Sequence, residues 1–235
     1  MLALLVGAAG LLGCGGSDAG PPACVPPPGM SGSPTTIGDV VTLANAMLAA
    51  RNEPLDLPCF VASLQRPLAL LPVLSPFSLQ RGDGPQNPRV FLWTGDIAMS
   101  VVPSGSGRDL LELAEYTSPT RSIKGELAFP IQSPVARSTP YDRVLSTTRD
   151  DGTICGGCHS GEQAAPQITD GRAFESVVFR PRQSEEVDLG YLKDQTRTCD
   201  SATQPQRCSL LKALFAHGDV TLRQFSPDAL TIYGD

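Results

Sequence analysis

The 235-residue chain is poor in several things at once: charged residues make up 18%, aromatics 6%, and there is one Trp. No run of Lys or Arg occurs, and the net charge is -6. This balance excludes the basic footprint of a nucleic-acid partner. The longest apolar run, Leu2 to Leu12, has 11 residues, short of the ~20 that span a bilayer as a helix. Histidine is limited to His159 and His217, and the last methionine is Met99. Any chemistry that needs imidazole or thioether therefore has few places to sit. The 41% hydrophobic content suits a folded chain and argues against wholesale disorder. Gly (23) and Pro (22) are in excess, against an average usage of about 12% for the two together. The expectation is a loop-rich fold with modest helix and strand content.

Residues 1–13 read as an apolar export signal, and Leu11-Leu12-Gly13-Cys14 is similar to the lipobox of bacterial lipoproteins. That resemblance implies cleavage before Cys14, lipidation of its thiol and amine, and stable anchoring by several acyl chains. The n-region departs from the pattern, because Met1 and Leu2 lead into the apolar run with no basic residue between. Gly15 after the cysteine favours the outer membrane, so the expected location is the cell envelope, facing periplasm or cell surface. Residues 14–35 are rich in Gly, Pro and Ser and read as a tether.

Residues 36–147 form a helix followed by a β-rich block. Ile37, Val40, Val41, Ala44, Met47 and Leu48 recur at helical spacing, and Thr36 with Asp39 resembles a capping box. A short helical turn is expected from Pro58 to Leu64. PRVFLWT, IAMSVV, DLLELAE and SIKGELAFPI read as strands separated by turn chemistry such as GDGPQNP and PSGSGRD. An antiparallel meander or small sandwich follows. Residues 148–235 read as a second domain, mostly helical or irregular. Ala173, Phe174, Val177 and Val178 give one amphipathic pattern, and Pro205 to His217 gives another, with Gly218 as its cap. The fold class expected is α+β.

Cys155-Gly156-Gly157-Cys158-His159 matches C-x-x-C-H, the attachment signature of c-type haem. The chain resembles c-type cytochromes in this motif and, by extension, in residues 148–235. The resemblance implies one covalent haem c, with Cys155 and Cys158 as thioether anchors and His159 as proximal iron ligand. Export agrees with it, since such haem is attached outside the bacterial cytoplasm. No Met follows the motif, a departure from many small cytochromes c. His217, 58 positions after His159, becomes the expected second ligand, with Met99 or an open sixth site as alternatives. Arg172, Arg180 and Arg182 are the nearest bases for propionates.

Two other uses of the motif compete: a Cys155–Cys158 disulfide, structural or redox, or zinc held with Cys199 or Cys208. Setting aside Cys14, Cys155 and Cys158 leaves Cys24, Cys59, Cys199 and Cys208, which allow three disulfide connectivities. Cys199 with Cys208 closes a short loop, and Cys24 with Cys59 staples the tether to the body. Residues 148–235 carry a net charge of -4, which suits a basic redox partner. The reading is a membrane-anchored electron carrier rather than an enzyme, with an envelope scaffold or binding module as the alternative.

Overall fold

The computed structural model describes residues 23–234. The lipobox-like segment and Cys14 lie outside the described residues. The fold is α+β, built on one eight-stranded, mostly antiparallel sheet.

Helix α1 (Ile37–Ala49) begins where the sequence places it. The Thr36 hydroxyl accepts from the Asp39 amide, and the Asp39 carboxylate accepts from the Thr36 amide, a full capping box. Helix α2 (Leu57–Ala62) is capped by Asp56. Next come β1 (Leu68–Val73), β2 (Arg89–Thr94), β3 (Ile97–Val101), β4 (Leu110–Ser118) and β5 (Arg121–Ala128). They pair as an antiparallel meander, β1-β2-β3-β4-β5. The last four of these are the strands expected from the sequence.

The second half of the chain completes that sheet instead of standing apart. After α3 (Thr139–Asp142) come β6 (Gln163–Ala164), β7 (Phe174–Val177), β8 (Phe179–Arg180), α4 (Leu189–Thr198), α5 (Pro205–Phe215), β9 (Val220–Leu222) and β10 (Leu230–Thr231). Strands β7 and β6 extend the sheet beyond β5, and β9 adds in parallel to β1 at the other edge. Strands β8 and β10 form a separate two-stranded sheet. The amphipathic helix expected around Phe174 is thus a strand. Its burial alternates, with Phe174 and Ser176 inward, as edge pairing to β5 dictates. A boundary at residue 147 divides the composition but not the sheet.

Alternation sends successive side chains to opposite faces of the sheet. Leu68, Leu70, Val90, Leu92, Ile97, Met99, Leu111, Leu113 and Ile123 pack with α1, α2 and α5 in the main core. Leu71, Val73, Trp93 and Ala98, with Phe91, Ala114, Tyr116 and Phe225 at their margin, form a smaller cluster on the other face.

The chain from residue 24 to 36 lies against this body. Cys24 is disulfide-bonded to Cys59. The Gln65 amide donates to Gly32 oxygen at 2.8 Å, and the Thr94 hydroxyl donates to Pro34 oxygen. The expected tether is therefore bound from Cys24 onward. The second disulfide joins Cys199 to Cys208. Among the described residues no helix is long and apolar enough to cross a membrane.

Candidate functional site

The CGGCH segment forms a tight 3-10 turn, Ile154–Gly157, held from both ends. The Thr153 hydroxyl accepts from the amides of Cys155 and Gly156 at 3.1 and 3.3 Å. Thr153 is itself fixed by Glu162, which accepts from both its amide and its hydroxyl. Arg149 lies 3.4 Å from the same carboxylate. At the far end, the Cys158 and His159 amides both donate to Cys155 oxygen, at 3.0 and 2.8 Å.

The sequence explains why glycine follows Cys155. A Cβ on Gly156 would stand 2.3 Å from Glu162 Oε2, whereas one on Gly157 would meet nothing within 4 Å. The first glycine is thus needed to let the capping carboxylate approach, and the second leaves its side open.

The imidazole of His159 is oriented by the sheet edge. Its Nδ1 hydrogen-bonds Val177 oxygen at 2.7 Å, and its ring stacks on Phe179 with centroids 5.4 Å apart. A carbonyl partner makes Nδ1 the protonated nitrogen and leaves the Nε2 lone pair free, the usual arrangement of a ligating histidine. Burial, reinforced by the positive charge of Lys124, pushes the His159 pKa down to about 3. The ring is therefore neutral at physiological pH, as coordination requires.

Cys155, Cys158 and His159 all line one cavity of about 440 Å³, within the 300–1,000 Å³ range of small-molecule sites. Its walls come from the sheet face opposite the helices: Val73, Phe91, Ala98, Ala114 and Tyr116. Phe77, Leu79, Ile154, Ile232 and Tyr233 surround it as well, and each is exposed. Large exposed apolar side chains gathered in one place mark a binding site rather than ordinary surface. Both motif cysteines carry free thiols. Burial pushes the Cys155 thiol pKa up, so it stays protonated at neutral pH.

The polar groups in the cavity are mostly committed to one another. Arg89 pairs with Glu112 and donates to the Ser100 and Ser78 hydroxyls. Arg143 holds Glu126 at 2.7 Å. Lys124, on β5, is buried at 7% exposure, and its Nζ donates to the Ser122 hydroxyl at 2.7 Å. Burial lowers its pKa to about 8. Sequence reading passed over Lys124, because a lysine in an alternating strand ordinarily faces water.

The other expected site residues are placed elsewhere. His217 is exposed, two residues beyond α5, and is not among the residues lining the cavity. Helix α5 packs against α2, and Arg66 ties down its end by donating to Ala213 and Leu214 oxygens at 2.6 and 2.7 Å. The structure therefore does not bring His217 to His159. Met99 borders the cavity from β3, with its side chain buried in the core on the helical face. Of the three arginines, Arg180 lines the cavity while its Nε donates to Ala229 oxygen. Arg172 donates to Asp150 oxygen, and Arg182 stacks over Tyr233 at 3.6 Å. Cys199 and Cys208 are bonded to each other, which removes both from any zinc site.

The residues of the motif fit a haem c. Two thiols and a neutral, tautomer-fixed imidazole meet at one cavity whose walls are apolar enough for a macrocycle. The sequence matches no family model, and comparison with curated proteins and with solved structures finds no match.

Proposed function

We propose that this chain is an exported, lipid-anchored electron-transfer protein carrying one covalent haem c. The observation that carries the reading is the convergence of Cys155, Cys158 and His159 on one apolar cavity, with Nδ1 of His159 bonded to Val177 oxygen. When bound, haem supplies one-electron chemistry at its iron. The protein's own part is to hold and insulate. Thr153 and Glu162 fix the turn that presents the two thiols. Phe179 and Val177 set the plane and tautomer of His159. The aromatic sheet face offers an apolar wall to the macrocycle.

In this reading Cys14 anchors the protein to the membrane on the periplasmic or outer face, and the partner is a redox protein with a basic docking face. This reading asks for electron transfer and requires no substrate chemistry. A second reading follows from the same cavity: a lipid-anchored binding module that takes an apolar ligand without covalent attachment. The exposed ring of Phe77, Leu79 and Ile154 supports it.

Production in a host with haem maturation separates the two. The electron carrier keeps a haem-staining band through a denaturing gel. A colourless band rejects it and favours the binding module. Cys14→Ser is expected to release the protein from the membrane fraction, and continued sedimentation with membranes would reject the anchor.

A further inference from the structure

Neither residue expected as the second iron ligand offers its side chain to the cavity. His217 is exposed beyond α5. Met99 borders the cavity, but its side chain is fully buried in the core on the helical face, opposite its neighbour Ala98. The cavity must supply a ligand from its own walls or leave the sixth position open. Among its lining side chains, those with a usable lone pair are few. Glu112 is taken by Arg89, and Glu126 by Arg143. The Tyr116 phenol bonds Trp93, and the Tyr233 hydroxyl donates to Glu185 at 3.1 Å. The serine hydroxyls of the wall are weak donors to iron beside an amine.

Lys124 stands out from this set. It is buried on the open face of β5, and its single hydrogen bond is to the Ser122 hydroxyl. No carboxylate lies within ion-pair distance of Nζ among the described residues. A buried ammonium without a direct ion pair is costly. Cys155 and Glu112 act to favour its charge, Arg89 and Arg121 oppose it, and that charge acts in turn on the His159 ring. Lys124 is thus part of the motif's own surroundings.

Resting on the haem reading, we propose that Lys124 Nζ is the second protein ligand to the haem iron, in place of His217 or Met99. On coordination the amine nitrogen donates its lone pair and one proton leaves to solvent, with no change in oxidation state. Two things on the page favour it: Lys124 lines the same cavity as Cys155, Cys158 and His159, and no ion pair holds its amine there.

The test compares the haem-loaded full-length protein with Lys124→Ala and Lys124→Met, and with His217→Ala as control. Electron paramagnetic resonance and the ferric absorption spectrum report the spin state and axial ligands. Intact mass, read separately, reports attachment. The expected result is a six-coordinate low-spin iron in the parent and in His217→Ala, conversion to high spin in Lys124→Ala, and a histidine–methionine signature or high spin in Lys124→Met. The near-isosteric Met variant keeps the wall filled if the alanine variant folds poorly. Attached haem whose signature is the same in both Lys124 variants as in the parent overturns the ligand assignment and leaves the haem reading standing. A signature lost in His217→Ala alone, or a high-spin parent, also overturns it. A bare polypeptide mass overturns both readings.

Discussion

The two faces of the sheet are made by the same strands and differ in kind. The helical face is aliphatic and closed: Leu70, Leu92, Met99 and Leu111 have no exposure and lie under α1, α2 and α5. The opposite face carries aromatic rings together with Arg89, Glu112, Lys124 and Glu126, and among the described residues no α-helix lines the cavity they border. An antiparallel sheet commonly leaves one face to water with polar side chains, whereas here that face is lined by aromatic rings around a cavity. The difference teaches that stability rests on one face and that the other is free to carry chemistry.

That contrast can be broken by substitution. Phe60 is fully buried against Phe129 at 5.7 Å on the helical side. Phe60→Ala is expected to cost ~3–5 kcal/mol, read by denaturant unfolding. Phe91, on the open face, is half-buried and meets Phe225 edge-on at 4.9 Å. Phe91→Ala is expected to cost only about 1–2 kcal/mol. Equal losses would show that both faces serve as core.

The disulfides sharpen the same division. Cys24–Cys59 closes a loop of 35 residues and Cys199–Cys208 one of 9. Replacing both cysteines of a pair with Ala is expected to cost ~2–4 kcal/mol, more for the longer loop. An unchanged midpoint for the Cys24 pair would mean that residues 24–36 add nothing to the helical side. Thr153→Ala removes the cap of the motif turn, and a loss of ~0.5–2 kcal/mol is expected. Haem attachment should also fall in that variant, because the two thiols are no longer presented together.

A separate effect is on pH dependence in haem-free protein. The folded-state pKa of His159 is depressed to about 3, against 6.5 for a free imidazole. As pH falls from 6.5 the unfolded chain gains a proton that the folded chain refuses. Stability from this group is present above 6.5 and drains away towards 3. His159→Gln should flatten the upper part of that slope, between pH 6.5 and 5, where carboxylates contribute little. An identical slope in the variant would show that the ring is hydrated rather than set into the open face.

Much of the helical face was legible in the sequence. The spacing of Ile37, Val40, Val41 and Ala44 and the Thr36–Asp39 pair located α1, and turn residues bracketed β2 to β5. Strand β1 was not, because the apolar run Leu68–Val73 is buried on both sides and loses the alternation that marks a strand. Strand β7 was read as helix, since Phe174, Val177 and Val178 also fit helical spacing over so short a segment. Strand β9 is three residues long, and its partner β1 lies some 150 positions earlier, beyond any local signal. Of the site, the CGGCH motif was legible and its surroundings were not. His217 looked apt because it ends an amphipathic helix, but that helix packs against α2. Lys124 carries no sequence signal of its own, and only the folded sheet shows it buried at the cavity.

The measurement that bears most directly on the account is the intact mass of mature protein from a host with haem maturation, taken beside the Cys155→Ser/Cys158→Ser variant. The account predicts the polypeptide plus one haem for the parent and the polypeptide alone for the variant. Bare polypeptide in both would contradict it.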